Sequence, residues 1–178
     1  MEIPTKIVLC LILCTTLLSS SCSKQELPQP TNTGANTFSC NLNGRFWVPT
    51  GGGPFGNATS GGFFRDTNGP IDIFIQAYAD HNYFHIFLRN TSTQGTYLLN
   101  QTTVAMPYNI YPVSYGAYFA DSQSDYYITD ATHTGTVKIT YADTIQGIVA
   151  GTFEMKLYRK DTNEVLNITG GRFDYKTH

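Results

Sequence analysis

The histidines, cysteines and acidic residues of this chain are its most reactive groups, and their spacing matches no common reactive centre. His81 and His85 have the i, i+4 spacing that binds zinc on a helix. His85 belongs to a strand-like run, however, where four residues separate side chains by roughly 13 Å, too far for one ion to bridge. No Gly-x-Ser-x-Gly nucleophile motif occurs. The residue types therefore predict no metal, no cofactor and no catalytic group.

Two further patterns are better explained by structure than by chemistry. Asp121-Ser-Gln-Ser-Asp125 is similar to the start of a calcium loop, but Tyr126 replaces the glycine and Thr132 replaces the bidentate glutamate. We therefore predict a solvated turn there. Cys40 alternates with apolar neighbours on one face of a strand, which predicts a small buried thiol rather than a nucleophile.

The candidate binding residues lie in two neighbouring strand-like runs, from Ile71 to Tyr78 and from Tyr83 to Arg89. Strand side chains alternate between faces, so the isoleucines of the first run and Phe84, Ile86 and Leu88 form a core face. The opposite face mixes rings with amide, imidazole and guanidinium groups, which suits a sugar or a polar aromatic ligand. The alternative is that a second sheet or the segment 100–131 covers this face. The predicted ligand-binding set is Phe74, Gln76, Tyr78, Tyr83, His85, Phe87 and Arg89.

The N-terminal segment has the features of an export signal. Lys6 precedes an apolar run from Ile7 to Cys14, and three serines directly precede Cys22. This order is typical of a secretory signal peptide, whereas a membrane span needs about 20 apolar residues. Cys22 after small residues looks like the lipid-attachment site of a bacterial lipoprotein. We predict a signal peptide over residues 1–21 and lipidation of Cys22, with ordinary cleavage that leaves Cys22 free as the alternative.

Composition favours one all-β domain after this signal. The chain has 11 Lys and Arg and 13 Asp and Glu, which gives a net charge of −2. No basic surface for nucleic acid is therefore expected. The chain has 12 Tyr, 11 Phe and 16 Gly but no long stretch of helical periodicity. Residues 22–36 are predicted to be the lipidated cysteine and a flexible tether. Residues 37–178 are predicted to be a single antiparallel β-sandwich or flattened barrel, built from hairpins and a C-terminal meander.

Turn signals place the strands of this domain. Asn43-Gly44 predicts a tight hairpin, because both residues tolerate the positive φ of a type I′ turn. The glycine-rich stretch 51–62 predicts a loop. The segment 100–131 predicts a long loop with short strands near 117–120 and 126–129. The meander is predicted from Thr136 to Tyr141, Gly147 to Tyr158 and Val165 to Tyr175.

Four motifs at the two ends of the domain can be compared with known families: Phe38-Ser-Cys-Asn-Leu-Asn-Gly-Arg-Phe-Trp-Val-Pro, Gly135-Thr-Val-Lys-Ile-Thr, Gly151-Thr-Phe and Val165-Leu-Asn-Ile-Thr-Gly-Gly-Arg-Phe. With these motifs the domain resembles a family of uncharacterised outer-membrane lipoproteins from Bacteroidota. The resemblance covers residues 37–175 and implies an exported β-domain on the outer membrane, with no catalytic residue to carry over. Ser23-Lys24-Gln25-Glu26 matches the surface-export tag of such lipoproteins only loosely, so the periplasmic and cell-surface faces both stay open. Thr144, within Asp143-Thr144-Ile145, looks like the O-glycosylation acceptor of exported Bacteroidota proteins.

These features together predict a non-catalytic module at the cell envelope that binds a glycan, a small ligand or a partner protein. A structural subunit of an envelope assembly is the alternative, and a hydrolase comes third. A pocket lined by Tyr and Phe would favour the first function. An exposed aromatic patch of several hundred Å² would favour the second, and paired carboxylates in a cleft the third.

Overall fold

The computed structural model describes residues 27, 29–53, 56–65, 69–102, 113–121 and 126–177. Within them the chain forms eleven β-strands and no α-helix. The described residues contain no helical segment of the length and apolarity that a membrane span requires. The strands are β1 (Thr37–Leu42), β2 (Arg45–Trp47), β3 (Thr59–Arg65), β4 (Ile71–Ala79), β5 (Asn82–Leu88), β6 (Gly95–Leu99), β7 (Tyr115–Phe119), β8 (Tyr126–Ile128), β9 (Gly135–Asp143), β10 (Ile148–Arg159) and β11 (Glu164–Lys176).

The described strands pair antiparallel in one curled sheet, a half-barrel. Its hydrogen-bonded order is β2-β1-β11-β10-β8-β7-β5-β4-β3, and β9 joins β10 on one side and β6 on the other. The long strand β10 links two halves, because β9 pairs with its first part and Ile128 of β8 pairs with Tyr158 near its end. The predicted all-β fold with a C-terminal meander is confirmed.

The predicted hairpin at Asn43-Gly44 is also confirmed. Asn43 and Gly44 have φ values of 48° and 78°, the left-handed conformation that a type I′ turn needs at both central residues. The turn joins β1 to β2, and Cys40 pairs with Trp47 across it.

Strand β3 corrects the prediction of a loop over residues 51–62, because the strand begins at Thr59. Gly61 pairs with Ile75 of β4, and a side chain at Gly61 would overlap the ring of Tyr175. The hydroxyl of Tyr175 donates to the carbonyl of Gln76 at 2.9 Å, and the amide of Phe63 donates to the Thr177 hydroxyl at 3.1 Å. Glycine is therefore needed here because the end of β11 packs directly on β3, a tertiary contact that local sequence does not reveal.

One face of the curled sheet carries the main core. The alternating isoleucines of β4 and the apolar set of β5 point into it, as predicted, and Ile73, Ile75, Phe84 and Ile86 are fully buried. Each such side chain contributes about 1.5–3 kcal/mol relative to exposure. The remaining fully buried members include Ala77, Leu88, Leu99, Val137, Val149 and Leu157.

Cys40 lies in this core with its thiol reduced. Its exposed fraction is 0%, and burial raises its pKa to about 12. A thiol in that state is protonated at neutral pH and is a poor nucleophile. The predicted packing role of Cys40 is confirmed.

The predicted tether lies partly within the described residues. The signal peptide, Cys22 and residues 23–26 lie outside them. Residues 29–36, which we call the arm, run along β11 and contact Asp174 before the chain enters β1.

Candidate functional site

Cross-strand pairing places the predicted ligand-binding residues on one face of β4 and β5, opposite the main core. Phe74 lies opposite Phe87, Gln76 opposite His85, and Tyr78 opposite Tyr83. The turn that joins the strands is tight, since Asp80 adopts a φ of 51°. Sequence alternation therefore predicted this face correctly.

The face continues across two more strands that sequence alone did not align with it. Strand β7 sets Tyr115, Ala117 and Phe119 beside Phe87, His85 and Tyr83 in turn. Strand β8 then sets Ile128 beside Ala117 and Tyr126 beside Phe119. We call the residues of β4, β5, β7 and β8 on this side the aromatic face.

Four rings form a continuous row across the aromatic face. Ring centroids are 5.5 Å apart between Tyr78 and Tyr83, 4.2 Å between Tyr83 and Phe119, and 5.7 Å between Phe119 and Tyr126. The Tyr83 and Phe119 rings are nearly parallel, with an interplanar angle of 5°. Each such pair contributes about 0.5–1.5 kcal/mol beyond the area that it buries. The row makes this side of the sheet a second packed layer.

Burial divides the predicted binding residues into three groups. Phe87 and His85 are inaccessible, with exposed fractions of 1% and 0%. Phe74, Gln76, Tyr78 and Tyr83 are half-buried. Arg89 is 41% exposed at the rim, where its Nε lies 3.9 Å from a carboxylate oxygen of Asp72. Only the last two groups offer surface to a ligand, and binding by the set stays a prediction.

His85 is a buried polar group within this layer. Its Nδ1 lies 3.0 Å from the Tyr115 hydroxyl, and the two rings meet edge to face. Burial lowers the pKa of His85 to about 4, so the imidazole is neutral at pH 7. It therefore supplies a hydrogen bond and not a charge. His81 is exposed in the β4–β5 turn, and no group of three metal-binding side chains occurs among the described residues.

A pocket of about 350 Å³ lies at the β8 edge of the aromatic face, where β8 meets the end of β10. Two tyrosine rings and an isoleucine form its apolar part. A hydroxyl, two carboxylates and an ammonium group form its polar part. The lining residues are Thr102, Tyr126, Ile128, Asp130, Tyr158, Lys160 and Asp161.

The tyrosine on β10 is held in position by two neighbours. Tyr158 points away from the core because Leu157 beside it points inward. The His133 ring stacks on it at 4.5 Å with an interplanar angle of 6°. The Tyr158 hydroxyl donates to the side-chain oxygen of Asn163 at 2.7 Å. The ring is thus presented as a rigid surface.

The two carboxylates of the pocket are each held by neighbouring donors. Asp130 accepts hydrogen bonds from the Thr132 amide at 2.7 Å and from the His133 amide, and lies 3.0 Å from His133 Nδ1. Burial alone would raise the pKa of Asp130, but these hydrogen bonds hold it below its usual value. Asp161 accepts from Nε and Nη2 of Arg159 at 2.7 and 2.9 Å, which lowers its pKa. Both groups are therefore ionised, oriented acceptors at neutral pH.

The sequence did not single out this pocket. Tyr158 follows from the alternation of β10, but its neighbours Thr102, Ile128 and Asp130 come from segments 28 to 56 residues away. The single β8–β10 pair, Tyr158 with Ile128, assembles them. No local pattern reports such a pairing.

Two predicted features, the glycosylation acceptor and the calcium-like stretch, lie in surface turns or outside the described residues. Thr144 is exposed in the turn between β9 and β10, where the Asp143 side chain accepts the amides of Ile145 and Gln146 at 2.9 Å. Its modification stays a prediction. In the calcium-like stretch Asp121 is described, whereas residues 122–125 lie outside the described residues.

Comparison with known proteins gives a family and no function. No curated protein and no solved structure matches the chain. A family model does match, over residues 35–175; the matched region begins at the end of the arm and ends one residue before the end of β11. The chain belongs to the family described as a domain of unknown function (DUF6252).

Proposed function

We propose that this domain is a non-catalytic binding module of the cell envelope, and that it binds a neutral glycan in the pocket between β8 and β10. The observation that carries the proposal is the lining of that pocket, in which two tyrosine rings stand beside fixed hydrogen-bonding groups. The volume of about 350 Å³ lies at the lower end of the range for ligand sites, about 300–1,000 Å³. It suits one or two sugar rings.

The charges of the pocket favour a neutral ligand. Asp161 is paired with Arg159, and Asp130 accepts amide and imidazole hydrogen bonds. These hydrogen bonds lower the pKa of both carboxyl groups, so neither is the protonated general acid that a hydrolase needs from a pair of carboxylates in a cleft. Lys160 adds one cation to a site with two carboxylates. Carboxylate oxygens accept hydrogen bonds from ligand hydroxyls and the lysine ammonium donates to ligand oxygens. A polyol can form hydrogen bonds with all of these groups, whereas a strongly charged ligand would be repelled by the pocket groups of its own charge.

The structural-subunit alternative has less support. An aromatic interface for assembly requires large exposed rings, but Phe87, Tyr115 and Phe119 of the aromatic face are at most 2% exposed. The exposed large apolar residues in the described part of the chain lie on separate elements: Phe64, Leu98, Ile145 and Val165.

The N-terminal segment supports a location for the module. We propose that Cys22 is lipidated and holds the domain at the outer membrane, as the small residues before it and the resemblance to Bacteroidota lipoproteins suggest. Replacing Cys22 by alanine should move the protein from the membrane to the soluble fraction, since one attached lipid is the only anchor proposed. Intact-mass measurement of the mature wild-type protein should show acyl chains on Cys22. An unmodified mature N-terminus would contradict the anchor.

Tyr158→Ala tests the pocket. Saturation-transfer NMR against a panel of neutral mono- and disaccharides should show binding by the wild-type protein and at least about a tenfold loss in the variant, equivalent to about 1.4 kcal/mol. Tyr141→Ala is the matched control, because Tyr141 is a half-buried tyrosine of the same meander outside the pocket. Equal binding by wild type and Tyr158→Ala would exclude this pocket as the binding site. If the wild-type protein binds none of the sugars, the proposal of a neutral glycan as the ligand is wrong.

A further inference from the structure

The arm, residues 29–36, is tied to the sheet by one buried carboxylate. Asp174 of β11 is 1% exposed. It accepts hydrogen bonds from the Thr31 hydroxyl at 2.7 Å and from the amides of Thr33 at 2.9 Å, Gly34 at 2.8 Å and Ala35 at 3.3 Å. The donors lie 139 to 143 residues away in the chain. These are tertiary contacts of a folded domain.

Contacts at both ends extend the attachment. At the C-terminal end, the amide of Lys176 donates to the Asn36 side chain at 3.0 Å. At the other end, Nη1 of Arg172 donates to the carbonyl of Leu27 at 3.2 Å. The Leu27 side chain packs over Gly170, where any added side chain would overlap it. Leu27 and the arm together therefore cover β11 from Gly170 to Lys176.

We infer that the arm is a strap integral to the domain, and that it fixes the domain close to the lipid headgroup surface in one orientation. The membrane part of this inference rests on the proposed lipidation of Cys22; the docking of the arm does not. Five residue steps separate Cys22 from Leu27, a reach of at most about 18 Å. A free tether of 14 residues would have a root-mean-square reach of roughly 20 Å and would impose no orientation.

The surface near Leu27 fits this position. Arg45 is exposed at the start of β2 and pairs with Leu42, which in turn pairs with Ile168, two residues before the Gly170 that Leu27 covers. Arg172 is half-buried and donates to the Leu27 carbonyl. Cations close to an anionic headgroup surface are attracted to it. Asp174 is enclosed by the arm and contributes no exposed negative charge. The exposed acid of β11, Glu164, lies at the other end of that strand, where it accepts a hydrogen bond from the Tyr127 hydroxyl. The partner that fits is thus an anionic lipid surface facing β1, β2 and β11.

Amide hydrogen exchange tests the docking without lipid. In wild type the amides of Thr33, Gly34 and Ala35 should be protected, and Asp174→Asn should raise their exchange rates at least about tenfold because their acceptor is weakened. Asp143→Asn is the matched control, since Asp143 also accepts two amides, but they are those of Ile145 and Gln146 and not those of the arm. Unprotected arm amides in wild type would overturn the inference.

Single-molecule energy transfer tests the orientation. A donor dye is attached to the lipidated protein at Ile145→Cys, in the exposed β9–β10 turn. The labelled protein is then bound to vesicles of phosphatidylethanolamine and phosphatidylglycerol that carry an acceptor dye on a lipid headgroup. Wild type should give one narrow efficiency distribution, and Asp174→Asn a broader one. Identical distributions would overturn the fixed orientation. A failure of the glycan proposal would change neither measurement, and a failure of lipidation would abolish vesicle attachment while leaving arm protection intact.

Discussion

Replacing Phe87 by alanine is expected to lower the free energy of unfolding by about 3–5 kcal/mol, the usual cost of truncating a buried aromatic side chain. Phe87 is 1% exposed and packs with Tyr115, Ala117, Phe119 and Ile128 in the cluster of the aromatic face. The protein therefore has an apolar layer on each side of the β4–β5 hairpin. Urea denaturation followed by circular dichroism measures the change.

The matched control for Phe87→Ala is Phe64→Ala. Phe64 lies on β3 and is 44% exposed, so its truncation should change the free energy of unfolding by less than about 1 kcal/mol. A loss of less than about 1 kcal/mol for Phe87→Ala would mean that this face is accessible in solution. In that case Phe74, Tyr78 and Tyr83 would be the favoured candidates for ligand binding.

Asp174→Ala is expected to cost about 3 kcal/mol of stability. Hydrogen bonds to a charged group contribute about 1.5–3 kcal/mol each, and Asp174 accepts them from the arm hydroxyl and amides. The full sum is not expected, because the arm can leave the sheet and its amides can then bond to water. Thermal and urea unfolding measure the loss. Asp143→Ala, at the end of β9 beside an exposed turn, should cost no more than about 1 kcal/mol.

The contribution of Asp174 to the free energy of unfolding should fall as the pH is lowered. Burial alone would raise the pKa of Asp174, but the hydrogen bonds from Thr31, Thr33, Gly34 and Ala35 hold it below its usual value. A depressed pKa stabilises the fold above the unfolded pKa of about 3.9, and that stability is lost as the pH falls through the lower, folded value. The difference in unfolding free energy between wild type and Asp174→Asn should therefore be constant above about pH 5 and shrink in acid. A difference that grows in acid would contradict this assignment.

Local sequence predicted the features that depend on neighbouring residues. The type I′ turn at Asn43-Gly44 follows from the φ preferences of two residues. The two faces of β4 and β5 follow from a period of two, and both Ile75 and Phe84 lie in the core as expected. Composition and turn spacing were sufficient for an all-β domain, since no segment had helical periodicity.

The irregular middle of the chain shows the limit of that reasoning. Short strands were expected near 117–120 and 126–129, and β7 and β8 lie within three residues of those positions. Their register against β5 was not predictable, although it decides that Phe119 stacks on Tyr83. A shift of one residue would have turned every side chain to the opposite face.

Sequence by itself determined the fold class, the hairpins, the buried thiol of Cys40 and the β4–β5 part of the aromatic face, because each depends on residues within one or two strands. Tertiary structure alone decided that Gly61 belongs to a strand, that Tyr158 and Asp130 share a pocket, and that Asp174 holds the arm. Those three outcomes join segments 28 to 143 residues apart. Their free energy comes from packing and hydrogen bonds made only after the sheet curls, so no local pattern carries their signal.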